Sequence, residues 1–209
     1  MEKNIIKEEK IRVTTASEKH LKYTEDICRL MEESAAARRT GIAKRSPQYI
    51  RQKMYEGKGV IAISLDKELA GFCYIETWNH GKYVANSGLI VSPDFRGLGI
   101  GKRIKKAAFE LSRNKFPNAK IFGITTSPAV LKINTQLGYR PVSFTELTDD
   151  DEFWKGCKSC SNYDILNRTD RKYCLCTGML FDPEEKRANE HAQESVNTHY
   201  QAQTGNDIF

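Results

Sequence analysis

An α/β (α+β) domain, with a mixed and partly antiparallel twisted sheet flanked by helices, is the fold this 209-residue sequence predicts. Three observations predict it. Apolar residues switch between strand alternation and helical spacing along most of the chain. Turn-forming residues separate those segments. A glycine-rich turn also stands between a strand and an amphipathic helix, an order typical of chains that alternate the two elements. Apolar residues make up 39% of the chain, which supplies a substantial core for one domain but leaves two full domains cramped.

The elements follow in order. KIRVTTAS, residues 10–17, reads as a first strand, and the segment from His20 to Arg39 as a helix with Ile27, Leu30, Met31 and Ala35 on one face. A basic loop, ARRTGIAKRS, comes next. Ser46 and Pro47 open a short second helix that ends near Gly57, because serine caps and proline suits the first helical turn. GVIAISLD and LAGFCYIETW form a hairpin across Asp66, Lys67 and Glu68, and a third strand, Tyr83 to Val91, follows the turn at Asn79 to Gly81. From Ile100 onward, Ile104, Ala107, Ala108 and Leu111 fall at helical spacing. AKIFGITT is a buried strand, Pro128 to Leu137 a helix closed by Gly138, and RPVSFTEL a last strand. These boundaries give a domain over residues 1–148, a cysteine-rich extension packed on it over 149–181, and a polar tail over 182–209.

Composition narrows the function classes. Lys+Arg 33 against Asp+Glu 27 leaves a net charge of +6, which suits anionic small molecules about as well as nucleic acid. No apolar run approaches the ~18 to 20 residues of a membrane span, and MEKNIIKEEK lacks the apolar stretch and small-residue cleavage site of a secretion signal. The expectation is a cytoplasmic protein with no membrane partner, whose six cysteines are thiols or metal ligands rather than disulfides.

SPDFRGLGIGKRIKK, residues 92–106, carries the chemistry. Gly97, Gly99 and Gly101 precede Lys102, Arg103, Lys105 and Lys106. A helix start presents unpaired N–H groups and partial positive charge, so it attracts phosphate, and glycine lets a phosphate approach the backbone. Cations in a first helical turn oppose the dipole by roughly 0.3 to 1 kcal/mol each, a sign that a bound polyanion reverses. A solvated basic face beside a flexible turn is the alternative. A P-loop is excluded, since Arg96 stands where its first glycine belongs and Arg103 follows Lys102 in place of serine or threonine. A dinucleotide fingerprint would need glycine at position 102.

What remains is Arg-x-x-Gly-x-Gly, filled by Arg96, Gly99 and Gly101 after a strand and the turn VSPDF. This resembles the acyl-CoA-binding signature of the GNAT acyltransferase superfamily over about residues 10–147, and SPAVLKINTQLGYRPV resembles the family's later helix with its Gly138-Tyr139 ending. The resemblance implies a GNAT-like sheet and an N-acyltransferase using acetyl-CoA or succinyl-CoA. It also implies that the backbone of Arg96, Gly97, Leu98, Gly99, Ile100, Gly101 and Lys102 cradles the CoA pyrophosphate. Leu89, Ile90 and Val91, at the end of a splayed strand, would bond the pantetheine and polarise the thioester carbonyl.

Acyl transfer to an amine needs an unprotonated nucleophile, a stabilised oxyanion and an exit for the thiolate. The family's frequent base position is Ala85 here, so Glu76 in YIETW is the replacement, whether it points inward or faces water by strand alternation. The frequent tyrosine acid falls on Asn134, which leaves thiolate protonation to water at that residue or to no side chain. His80 is a further candidate base, set against the ordinary exposure of a turn histidine. In ARRTGIAKRS, Arg38, Arg39 and Arg45 with Lys44 suit an acidic amino acid as acceptor, since arginine pairs bidentately with carboxylates. A solvated charge run is the other reading.

Cys157, Cys160, Cys174 and Cys176 have spacing able to place four thiolates around one structural Zn²⁺, the alternative being reduced thiols packed on the sheet. Cys28 and Cys73 read as core. Phe153, Trp154, Cys157 and Cys160 also resemble the ending of short single-domain N-acetylglutamate synthases, which implies acylation of the glutamate amine at the start of arginine biosynthesis. Other amine acceptors stay open, as does a homodimer. A non-enzymatic module that binds nucleic acid or protein through a zinc appendage is the remaining class, weakened for nucleic acid because the basic stretch has only Phe95 among its cations.

Overall fold

The computed structural model describes residues 10–38 and 44–188. The expected substrate-loop residue Arg39, and the tail beyond 188, lie outside the described residues. Strand β1 is Ile11–Thr15, and a 3₁₀ segment, Glu18–Tyr23, leads into helix α1, Thr24–Arg38. Helix α2, Pro47–Tyr55, starts where Ser46 Oγ accepts the Tyr49 amide at 3.2 Å and Pro47 takes the first turn. Strands β2, Gly59–Ser64, β3, Leu69–Trp78, and β4, Tyr83–Val91, form an antiparallel meander. Helix α3, Ile100–Lys115, strand β5, Lys120–Thr125, and helix α4, Pro128–Gln136, come next. The last elements are β6, Arg140–Val142, short helices α5, Asp151–Lys155, and α6, Tyr163–Arg168, and strand β7, Thr177–Phe181.

Among the described residues seven strands lie in the order β1-β2-β3-β4-β5-β7-β6, and of their pairs only β4–β5 is parallel. Side-chain alternation divides the central strands between two faces. Val60, Ala62, Cys73 and Ile75 turn toward Ile100, Ile104 and Ala108 of α3. Ile61, Phe72 and Tyr74 turn the other way, onto Ile27 and Met31 of α1 and Ile50 and Met54 of α2. The expected α/β architecture is therefore present as a helix–sheet–helix sandwich. Among the described residues, no helix is long and apolar enough to cross a membrane.

The end of the domain differs from expectation. RPVSFTEL does not continue as the last strand, because Ser143 caps a 3₁₀ turn, Phe144–Glu146, and stops β6 after Val142. The last strand is β7, which inserts between β5 and β6 and pairs with both. A boundary at residue 148 would thus cut through the sheet. The cysteine-rich stretch is an excursion between two paired strands rather than an appendage, and it carries a core of its own. Phe144, Leu147, Trp154 and Leu166 pack with Phe122 of β5 and Leu180 of β7. Trp154 Nε1 donates to the Thr148 carbonyl at 2.7 Å.

A chain ending at residue 148 should therefore lose cooperative folding. It forfeits Met179, Leu180 and Phe181, each no more than 4% exposed, at about 1.5 to 3 kcal/mol per side chain. It also leaves the facing edges of β5 and β6 unpaired. Urea unfolding followed by circular dichroism checks this, and a sharp transition in the truncated chain would contradict the topology.

Candidate active site

Parallel β4 and β5 pair only from Tyr83–Lys120 to Ala85–Phe122 and then part. Beyond Ala85, the edge of β4 that would meet β5 has no strand beside it. Opposite that edge, the β3–β4 register slips so that Cys73 faces both Gly88 and Leu89, a bulge in β4. Gly88 adopts φ +65°, and a Cβ there would sit 2.5 Å from the Tyr74 ring and 2.9 Å from Met31 Cε. Glycine is required on both counts. The parted strands open a cavity of about 310 Å³. Its floor includes Asn86, Gly88, Leu89 and Lys105. Tyr49, Tyr74 and Arg45 wall one side, and Cys157, Cys160, Cys174 and Cys176 form part of the cover.

At the end of β4 the chain turns through the 3₁₀ segment Pro93–Phe95 into the glycine loop. Leu98 and Ile100, 7% and 1% exposed, anchor the loop in the core beneath α3, while Gly97 and Gly99 face outward. Gly97 and Gly99 have φ of +79° and +69°. Among the described residues, the amides from Gly97 to Gly101 find no protein acceptor; the next two, of Lys102 and Arg103, turn back onto the Gly99 carbonyl. Consecutive free N–H groups at the start of a long helix make an anion cradle. The expected cation cluster is dispersed. Lys102 stays exposed at the helix start, Arg103 donates to the Ile11 carbonyl at 2.7 Å, Lys106 lies 3.8 Å from Glu110, and Lys105 turns inward. Arg96 is exposed, with Nε 3.4 Å from the Val91 carbonyl.

Glu76 lies one phenol away from the cavity wall. Its Oε2 accepts from Tyr49 Oη at 2.5 Å, and its Oε1 meets Lys53 Nζ at 2.5 Å. Arg45 Nε donates to Tyr74 Oη at 2.8 Å, and its guanidinium lies over the Tyr49 ring, 5.1 Å from the centroid. Burial, then the facing Tyr74 and Glu76, holds the Tyr49 phenol far above its usual range, and burial raises that of Tyr74. Both are proton-bearing donors at neutral pH. Among the described residues Arg45 has no carboxylate within ion-pair distance, although it lines the cavity. Tyr49 and Tyr74 escaped the sequence reading, which took Lys105 only as one of the four cations after the glycines. Only Lys105 left a signal, since it falls at i, i+3 and i+7 with buried Ala108 and Ser112.

The other expected site residues are placed as follows. Asn134 is 1% exposed, its Oδ1 has no hydrogen-bond partner, and it is not on the cavity wall. Arg38 ends α1. His80 sits in a turn, Asn79–Gly81, away from the cavity lining. Ile90 is buried against the α1–α2 face, and Val91 packs against the α3 face, leaving Leu89 as the cavity residue of that trio. The four cysteines meet at one wall, yet among the described residues no three His, Cys, Asp or Glu side chains are grouped to hold a metal ion. The segment also carries an aromatic cluster, with Trp154 and Phe153 packed among Phe122, Phe144 and Leu180. Burial, then neighbouring thiols, pushes Cys157 up to about 11 and Cys176 up to about 12, so both are protonated thiols at neutral pH.

A parallel pair that parts, a bulge on one lip and a turn of free amides just after β4 make an arrangement suited to a phosphate-bearing ligand. By the match of its residues 27–131 to the family model, the chain belongs to the acetyltransferase (GNAT) family. Searched by sequence, the curated proteins offer no match. Solved structures share the fold. N-acetylglutamate synthase from Neisseria gonorrhoeae, complexed with coenzyme A and N-acetyl-glutamate, aligns at 16% identity and TM-score 0.58 over 82% of this chain and 35% of that one. The chain thus spans about a third of that enzyme's length. A Mycobacterium tuberculosis protein in complex with CoA aligns at 16% identity and TM-score 0.59, covering 82% of this chain and 98% of that one. A phosphinothricin acetyltransferase from Sinorhizobium meliloti, in complex with AcCoA, aligns at 16% identity and TM-score 0.56 over 83% and 88%.

Replacing Lys53 by methionine should destabilise the fold, because it strands a carboxylate that is only 16% exposed. The expected loss is about 2 kcal/mol, below the roughly 3 to 5 for a fully buried pair. Adding Glu76→Gln should recover part of it. Urea unfolding of the single and double variants measures the coupling, and additive losses would show that the pair does not matter.

Proposed function

We propose that the protein is an acyl-CoA-dependent N-acyltransferase whose acceptor is the α-amine of an acidic amino acid, with glutamate the foremost candidate. The observation that carries the donor half is the run of free amides from Gly97 to Gly101, which follows β4, the strand that parts from β5. The turn suits a diphosphate, and the unpaired edge of β4 suits the amide-bearing pantetheine arm, which would lie beside it as a substitute strand. The residues present therefore fit CoA. Leu89, at the bulge, stands where a main-chain N–H would polarise the thioester carbonyl.

On the acceptor side, Arg45 supports the acidic substrate. Its guanidinium is fixed by Tyr74 and Tyr49 and is not neutralised by any carboxylate within ion-pair distance among the described residues, so it suits a substrate carboxylate. Glu76 takes the amine's proton through Tyr49, whose hydroxyl stands between the carboxylate and the cavity. Direct transfer would follow in a ternary complex with no acyl-enzyme. The gonococcal structure holding CoA together with N-acetyl-glutamate is consistent with that acceptor.

Thiol release measured with acetyl-CoA and with succinyl-CoA, against a panel of amino acids and other amines, tests both halves. Acidic amino acids should give the highest kcat/KM, and a preference for cationic amines would overturn the acceptor assignment. Arg45→Ala should raise the acceptor KM about ten- to hundredfold, the worth of a hydrogen bond to a charged group, with the donor KM unchanged. Gly99→Val, forced from φ +69°, should weaken CoA binding by about tenfold or more through the same loss of charged hydrogen bonds. Gly101→Ala, whose Cβ would meet only Val91 at 3.6 Å, should leave thermal unfolding unchanged. Full CoA affinity in the Gly99 variant, read by calorimetry, would refute the cradle.

A further inference from the structure

Lys105 is the most deeply placed charged group of the cleft. It is 2% exposed, and its Nζ lies 3.3 Å from the Asn86 carbonyl and 5.7 Å from the Tyr139 ring centroid. No carboxylate of the described residues comes within ion-pair distance of it. The groups facing it from each packed element are uncharged at neutral pH: the Cys73 thiol from β3, the Asn86 amide from β4, the Gly123 backbone from β5 and the Tyr139 phenol before β6. Burial raises both Cys73 and Tyr139, which keeps them protonated. The Asn86 side chain is already held, donating to Ser112 Oγ at 2.7 Å and accepting from Tyr139 Oη at 3.2 Å.

A buried lysine with one carbonyl and the face of Tyr139 beside its Nζ is costly to keep charged, and an apolar side chain of the same length would fill the space at lower cost. Its presence on the cavity floor calls for an anion that forms or arrives there. Among the groups of an N-acyl transfer, the leaving thiolate is one, and Asn134 does not reach the cavity to serve it.

Building on the acyl-CoA reading above, we propose that Lys105 is the general acid of the reaction and delivers a proton to the sulfur of the departing CoA. The attacking nitrogen forms its bond to the acyl carbon, the carbon–sulfur bond breaks, and its electron pair goes to sulfur. Lys105 Nζ gives that sulfur a proton. The nitrogen's surplus proton leaves on the acceptor side through Tyr49, and solvent reprotonates Lys105 once CoA has gone. Burial lowers the Lys105 ammonium from the ordinary lysine range, toward that of a thiol, which is the direction a proton donor to sulfur requires. The acid form is lost as pH rises, so this group sets an alkaline limb.

The test uses the full chain with Lys105→Met and Lys105→Arg, the second keeping charge but holding its proton too tightly to give it up. With acetyl-CoA, kcat should fall about 100-fold or more in both, the usual worth of general-acid catalysis. With an acetyl thioester of a much more acidic aryl thiol, whose departure needs no proton, the same variants should lose less than about threefold. The alkaline limb of the wild-type profile should disappear in Lys105→Met. Independently of turnover, that variant should bind CoA more weakly than wild type while binding desulfo-CoA equally well, and its thermal stability should not drop. Equal losses on both leaving groups would overturn the proposal, as would a defect confined to succinyl-CoA, which would make Lys105 a ligand for the donor's carboxylate. A protein that binds no CoA at all would instead refute the functional reading on which this one rests.

Discussion

Everything in this molecule is arranged around a backbone problem: β4 has a partner along its whole length on one side and for only three residue pairs on the other. Buried main-chain N–H and C=O groups need partners. A parted parallel pair inside a sheet would be a defect in a purely structural protein. Here the surroundings are built to keep it open. The Gly88 bulge seats Tyr74 against β4 on one lip, β7 holds β5 straight from its far side, and α3 runs beneath with Lys105 turned into the gap. In the proposed function the two substrates meet different charge: free amides at the glycine loop after β4, and the caged guanidinium of Arg45 on the cavity wall.

Local chemistry was legible in the sequence and long-range pairing was not. Ser46-Pro47 announced a helix start because capping depends on residues within one turn, and Ser46 accepts the expected amide. The glycines before Lys102 announced the loop for a similar reason, since backbone freedom is written in adjacent positions, whereas the anchoring of Leu98 and Ile100 in the core was not read. By contrast, Glu76 on a strand gave no sign that Lys53 and Tyr49 of α2 would occupy both of its oxygens. Those partners are far away in the chain. TGMLF, too short for periodicity to assign, became an interior strand only because two other strands were waiting for it.

The cysteine-rich excursion changes meaning once it is seen as a cover rather than an appendage. Its aromatic residues interlock with the sheet through Trp78–Phe153 and Phe122–Phe153 edge contacts, with ring centroids 5.6 and 4.9 Å apart. Its thiols border the space where the acyl group would react in the proposed function. Protonated thiols there add soft, weakly polar surface and little nucleophilic competition for a thioester.

The late arrival of β7 has a consequence for biogenesis. As the nascent chain leaves the ribosome, β5 and β6 emerge well before the strand that separates them, and they must wait unjoined while the whole cover is synthesised. Closure of the sheet and roofing of the cleft then become a single late event, so half-made chains display a sticky edge that invites chaperone attention, and β7 is the strand that commits the fold.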